Sequence, residues 1–270
     1  SDPHELANLR EWRWSYDRGQ NLSPEFVADS EKIRSLAMPA WAEARNKNDF
    51  DVFRPHLEKI VELNRKKANI YGFDSHPYDA LLEGFERGAT TKSIGDLFED
   101  LKTSLKEIGD LAKNKSNHVA VDLIDGDYTT ESQMVFNRDV AESFGFDFEA
   151  GRIDTAVHPF CSGIAPGDTR MTTRYDRLNF MSSLYGVLHE TGHGLYEQGL
   201  PEEHFTCPVG KAVSLGIHES QSRLWENHVG RSIGFWEKWY PRAEEIIPSI
   251  KEIGFDNIIK FCQRSEPSYI

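Results

Sequence analysis

Leu184-Tyr-Gly-Val-Leu-His-Glu-Thr-Gly-His-Gly-Leu-Tyr196 is the stretch from which both fold and chemistry follow. Leu184, Val187, Leu188 and Leu195 recur at helical spacing, which predicts a buried helix with its polar groups gathered on one side. On such a helix His189 and His193 stand one turn apart, so two imidazole nitrogens can converge on one metal ion while Glu190 lies beside them. Burying two histidines and a glutamate is costly unless something compensates them, and a divalent cation does so. Two nitrogen ligands with a carboxylate placed to take a proton from water is the HExxH arrangement of zinc peptidases. A five-residue pattern with two free positions also arises by chance, so the rest of the chain has to support it.

The chain has 270 residues, 39% of them hydrophobic, which is enough for a sizeable core and predicts a single helical domain over 1–270. Acidic residues outnumber basic ones 44 to 31, and the formal charge of -13 argues against nucleic acid or an anionic membrane as the main partner. Three widely spaced cysteines, Cys161, Cys207 and Cys262, suggest neither a disulfide framework nor a CxxC metal site; they fit reduced thiols in a cytoplasmic protein. No run approaches the roughly 18 uncharged apolar residues of a membrane helix, and Ser1-Asp-Pro-His-Glu5 lacks the regions of a signal peptide. The absence of an initiator methionine is expected of a fragment or a processed chain.

From about Pro3 to Asn114 the pattern is helical. Ser23-Pro24 reads as an N-cap and first helical residue for Glu25 to Asn46, with Pro39 expected to kink or divide that helix. Asp51 to Tyr71 repeats the theme and ends at Gly72, a C-cap residue. Leu97, Leu101, Leu105, Ile108 and Leu111 mark a further amphipathic helix. Trp12, Trp14, Tyr16 and Trp41 are expected to fill helix interfaces rather than form a ligand platform. Arg152–Phe160 and Thr169–Tyr175 alternate with period two around Ser162-Gly-Ile-Ala-Pro-Gly167, which predicts two antiparallel strands joined by a turn. Placed beside the metal helix, such a strand offers its edge to an extended peptide.

A catalytic zinc needs a third protein ligand. The candidate is Glu219 in Ser214-Leu-Gly-Ile-His-Glu-Ser-Gln-Ser-Arg223, on a second helix reached through a loop around Pro201 to Pro208. His218 competes with it, because consecutive helix residues point about 100° apart and only one can reach the ion. His204, in the loop, is expected to face solvent.

His158-Pro-Phe160, Asp168-Thr-Arg-Met-Thr172, His189-Glu-Thr-Gly-His193 and His218-Glu-Ser-Gln221 together closely resemble the HPF, DxRxT, HExxH and HES(G)Q motifs, in order, of the M32 metallocarboxypeptidases, the carboxypeptidase Taq type. Weaker similarity includes Tyr78-Asp-Ala-Leu-Leu82 and Trp225-Glu-Asn227. The resemblance implies a mainly α, gluzincin-like fold with a small antiparallel β-hairpin beside the metal-binding helix. It also implies a deep cleft with one divalent metal at its floor, release of single amino acids from peptide C-termini, and a homodimer. Carried over by position, His189, His193 and Glu219 are the metal ligands and Glu190 the general base. Zinc suits those donors, and cobalt or manganese can occupy them. His218 either donates to the developing oxyanion, orients substrate or supports the site. Arg170 could read a terminal carboxylate bidentately, but pairing with Asp168 on the same strand face is preferred. His158 is either cleft wall or hairpin support.

The family pattern continues with IRxxAD and GxxQ, whereas this chain ends at Ser268-Tyr-Ile270. The expectation is a chain shortened at both ends that keeps its metal ligands and leaves its own activity open. The rival expectations are a gluzincin oligopeptidase or dipeptidyl carboxypeptidase, and a metal-binding, peptide-binding protein without activity.

Overall fold

Short polar residues set the helix boundaries. In the computed structural model, which describes residues 2–116 and 126–264, two compact units are found, Ser1–Glu99 and Asp100–Ile270. The position at which IRxxAD would open lies outside the described residues.

In the first unit, Ser23 accepts from the Phe26 amide to cap α2 (Pro24–Lys47), as predicted, and Asp2 accepts from the His4 amide to cap α1 (Pro3–Gln20). Pro39 does not divide α2. It is exposed, so the carbonyl that its missing N–H leaves unpaired faces water. α3 (Arg54–Tyr71) stops at Gly72, whose φ of 76° a residue with a Cβ adopts at a cost. α4 (Pro77–Leu82) follows, and α5 (Thr91–Ser116) runs on past the end of this unit. The aromatic expectation is corrected here: Trp12 is 48% and Tyr16 59% exposed, and Trp14 and Trp41 are half-buried. Trp14 and Trp41 carry cations instead of closing a core. Arg18 lies 5.1 Å from the Trp14 ring centre and 4.0 Å from that of Tyr71, and Arg45 lies 5.5 Å from Trp41.

In the second unit, α6 (Thr130–Ser143) precedes β1 (Gly151–Thr155), β2 (Phe160–Ala165) and β3 (Asp168–Thr173). Then come α7 (Phe180–Gln198), α8 (Leu215–Arg223), a π-helical turn over Leu224–Val229, α9 (Ile233–Ile246), α10 (Ser249–Ile253) and α11 (Phe255–Cys262). α7 is central. Its Met181, Leu184 and Leu188 enter a core with Phe136, Trp236 and Ile258, while Val187 packs on the other side with Phe146 and Met171. Each fully buried side chain of that size contributes about 1.5–3 kcal/mol, so α7 is held from two sides.

The chain is mainly helical, as expected, but the hairpin becomes a three-stranded mixed sheet of order β1-β3-β2. β2 and β3 are antiparallel, with Cys161 opposite Met171, and turn at Pro166-Gly167; β1 is parallel to β3, with Gly151 opposite Thr169. Two physical reasons account for the difference. Pro159 cannot donate to a ladder and breaks the 152–160 run into two strands. Ser162-Gly-Ile-Ala165 has the small residues of a turn yet is extended by its pairing with β3.

Candidate metal centre

α7 brings His189 and His193 to its surface one turn apart, and α8 brings Glu219 across from them. Glu219 Oε2 lies 3.6 Å from His189 Nε2 and 3.4 Å from His193 Nε2, and one donor atom from each residue falls within 4.8 Å of the others. Ligands of a tetrahedral zinc, each about 2.0–2.2 Å from the ion, stand about 3.3–3.5 Å apart, so this donor set fits a divalent cation. The approach of α8 depends on Gly192. A Cβ there would sit 2.5 Å from the Gln221 carbonyl oxygen and 2.6 Å from Ser222 Cα, so helix meets helix backbone to side-chain-free backbone.

The ring nitrogens turned away from Glu219 are all engaged. His189 Nδ1 lies 2.9 Å from Glu226 Oε2, and Glu226 is in turn 3.2 Å from Arg223 and 3.8 Å from Arg231. His193 Nδ1 contacts His218 Nδ1 at 2.5 Å, and His218 Nε2 lies 2.7 Å from Glu197 Oε1. One tautomer set satisfies the chain: His218 donates from Nε2 to Glu197 and accepts at Nδ1 from His193, which leaves the His193 Nε2 lone pair toward Glu219. His189, donating from Nδ1 to Glu226, likewise presents Nε2. Of the two neighbours, Glu219 faces both His189 Nε2 and His193 Nε2, while the His218 imidazole stands behind His193.

Glu190 is 5% exposed, and its Oε2 has no hydrogen-bond partner among the described residues. Burial pushes its carboxyl up to about 7; His189 opposes this, and the carboxylates of Glu219 and Glu226 add to it. Burial, with the charges of His218 and His189, pushes His193 down to about 4, so it stays neutral at ordinary pH. For His189 burial acts downward too, but the hydrogen bond it donates to Glu226 and the surrounding carboxylates outweigh it and the net shift is upward.

These groups open into a cleft of ≈ 680 Å³ whose walls include His158, Cys161, Tyr185 and Arg223. Burial, with Glu190 and Glu197 nearby, raises the Cys161 thiol to about 12 and leaves it unreactive. His158 lines the cleft and its carbonyl accepts from Thr172 Oγ1 at 3.4 Å. Arg170 does not line it: its guanidinium donates to both carboxylate oxygens of Asp168 at 2.8 and 2.7 Å. His204 is half-buried in a short 3-10 turn, not solvent-facing as the sequence suggests, because Gly210 packs on its carbonyl. Sequence reasoning missed Glu197, Arg223 and Glu226 as parts of the site. Glu197 continues the 189/193 spacing by one more turn, a signal that was available; Glu226 depends on the π-helical turn, which has no simple sequence mark.

The carboxypeptidase Taq (M32) metallopeptidase family model matches residues 1–270. The chain is 40% identical to thermostable carboxypeptidase 1 of Thermus thermophilus, over 98% of this chain and 54% of that protein. It is 37% identical to carboxypeptidase 1 of Bacillus subtilis, over 87% and 47%. Among solved structures, the Pyrococcus furiosus carboxypeptidase superposes with a TM-score of 0.87 at 34% identity, covering 96% of this chain and 53% of that one. The M32 carboxypeptidase of Deinococcus radiodurans gives 0.86 at 31%, over 96% and 52%. The chain thus spans about half the length of the curated relatives that it matches. Motifs, fold and donor geometry agree, and the chain belongs to the carboxypeptidase Taq (M32) metallopeptidase family.

Proposed function

We propose that the protein is a metal-dependent carboxypeptidase that hydrolyses peptides with a free C-terminus and releases single C-terminal amino acids. The observation that carries this is the placement of three donors at ligand spacing beside a buried carboxylate whose Oε2 has no hydrogen-bond partner among the described residues. His189, His193 and Glu219 hold one divalent cation; zinc suits two neutral nitrogens and a carboxylate best, with cobalt or manganese compatible. When bound, the cation polarises the scissile carbonyl and acidifies water. Glu190 takes the proton from the attacking water and returns it to the leaving amine. His218, with both nitrogens engaged, positions His193. His158 forms cleft wall, and Arg170 with Asp168 braces the β2–β3 turn.

Family resemblance supports a homodimer, and reduced thiols a cytoplasmic location. The charge of -13 disfavours nucleic acid. Among the described residues no helix is long and apolar enough to cross a membrane.

The test compares Glu190→Gln with the parent chain on N-blocked dipeptides and on internally quenched longer peptides. The variant is expected to keep its metal and lose about 10²–10⁴-fold in rate. Unchanged activity sinks the mechanism, internal cleavage replaces it with an oligopeptidase, and an inactive, metal-loaded parent chain leaves a peptide-binding protein.

A further inference from the structure

A second cavity, of ≈ 560 Å³, adjoins the metal cleft. The same three segments wall both. β2 gives Phe160 and Cys161 to the cleft, then Gly163 and Ala165 to the cavity. α7 gives His189 and His193 to the cleft, then Glu197, one turn on, to the cavity. The chain entering α8 lines the cavity at Lys211 and Ala212 and the cleft from Leu215. Between the two stands the Glu197–His218 pair at 2.7 Å. The two spaces therefore follow one another along the same three segments, with this pair at their boundary.

Together they have the right length and an available edge. β2 is the outer strand of the sheet, bounded by β3 on one side only. An extended peptide beside it rises about 3.3 Å per residue, so Cys161 to Ala165 corresponds to about four substrate residues.

Charge sets the direction. The cavity presents Asp147, Glu197 and Glu202 against Lys211, and so repels a terminal carboxylate. The arginine in the described lining of the cleft, Arg223, lies at the opposite end of the nine-residue α8, about 12 Å away along the helix axis. At the cleft end Arg223 is already shared between Glu219, 2.8 Å away, and Glu226, 3.2 Å away. A carboxypeptidase holds the C-terminal residue beside the metal ligands, so a peptide long enough to reach the cavity brings its amino side there and meets three carboxylates against one lysine.

Resting on the carboxypeptidase reading, we infer that this cavity is the subsite for residues upstream of the scissile bond, and that it selects peptides carrying positive charge there, as a basic side chain or a free α-amino group. Glu202 and Asp147, both exposed and outside the ligand cluster, confer that preference. Nothing covalent happens in this subsite. It adds binding energy remote from the reacting atoms.

The experiment is calorimetric titration of the full chain, treated with chelator so that nothing is cleaved. Three acetylated pentapeptides end in Ala-Ala-Phe and begin with Lys-Lys, Gln-Gln or Glu-Glu. The lysine peptide is expected to bind about tenfold more tightly than the glutamate peptide, as a few partly exposed charge pairs allow. In the Asp147→Asn, Glu202→Gln double variant this ratio should fall to about twofold, with the glutamine peptide's affinity unchanged; the latter reports that the fold is intact. Equal affinities, an unchanged ratio in the variant, or no binding of any of the three overturns the inference. The metal-loaded chain is then assayed on the same peptides. Lysine-selective binding without cleavage overturns the carboxypeptidase reading and leaves the subsite; cleavage at equal rates overturns the subsite and leaves the carboxypeptidase.

Discussion

Glu226→Gln should weaken metal binding without unfolding the chain. The carboxylate accepts from His189 Nδ1 at 2.9 Å and so fixes which nitrogen of that ring carries the proton and which faces Glu219. Glutamine preserves the volume but removes the charge, and its amide can present a donor where an acceptor is needed. It also removes the carboxylate 3.8 Å from Arg231 and one of the two that offset Arg223, the other being Glu219. Because the Glu226 side chain is only 15% exposed, solvent screens little of this. Loss of such an outer partner typically costs 10–100-fold in metal affinity, about 1.4–2.7 kcal/mol. Competition between the chain and a chromophoric chelator for zinc measures it. The Asp168→Asn variant is the control, since that carboxylate pairs with Arg170 outside the cleft and should leave affinity unchanged. Affinity of Glu226→Gln within twofold of the parent would refute the argument that the outer hydrogen bond sets the ligand.

Three further outcomes follow from the same geometry. In the metal-free chain Glu190, raised from 4.5 to about 7, contributes stability that is full at low pH and is lost as pH rises through that window. His193, lowered from 6.5 to about 4, contributes stability that is full above 6.5 and is lost as pH falls. The two oppose one another between about pH 4.5 and 6.5. Urea unfolding of Glu190→Gln should therefore gain on the parent by about 2–4 kcal/mol in going from pH 4.5 to pH 7, whereas parallel curves would reject the Glu190 shift. Glu197→Gln, which weakens the hold on His218, should lower zinc affinity by a smaller factor than Glu226→Gln because it acts through one more ring; a larger loss in the chelator assay would contradict that ordering. Leu188→Ala, at a fully buried position, should cost about 2–5 kcal/mol in thermal or urea unfolding, and a cost below 1 kcal/mol would mean that α7 is not central to the core.

Much of the site was legible because the chemistry demands given residue types at helical spacing. His189, Glu190 and His193 share one helix, and Glu219 sits on the next, as their positions in the chain predict. The 100° between His218 and Glu219 says that only one serves, but not which one, since that depends on how α8 is rotated against α7. The sheet was half legible. An antiparallel pair ending at β3 was expected, but its partner is β2, which covers residues read as the turn, whereas the run read as the first strand becomes β1 and pairs parallel with β3, joining segments that no turn connects. Periodicity also marks a helix's apolar stripe without saying whether anything covers it. Leu97, Leu105 and Leu111 of α5 keep the predicted spacing yet are 51%, 58% and 64% exposed. Glu226 escaped because its alignment with His189 depends on a π-helical turn, a change of pitch that the residues Leu224–Val229 do not announce.

Gly192 gives the motif a property that its usual shorthand conceals. HExxH is written with two unspecified positions, but the second of them here is a spacer of zero thickness, pressed on Gln221 and Ser222 two and three residues beyond Glu219. The gap between the two histidines and the third donor is thus a caliper whose jaw is set inside the first motif. A caliper grades what it holds by size, and a methyl group at 192 would open it for every cation at once. Anyone transplanting this centre to another scaffold has to move α7, α8 and their bare contact as one piece, because the ligand residues alone do not carry the dimension that makes them ligands.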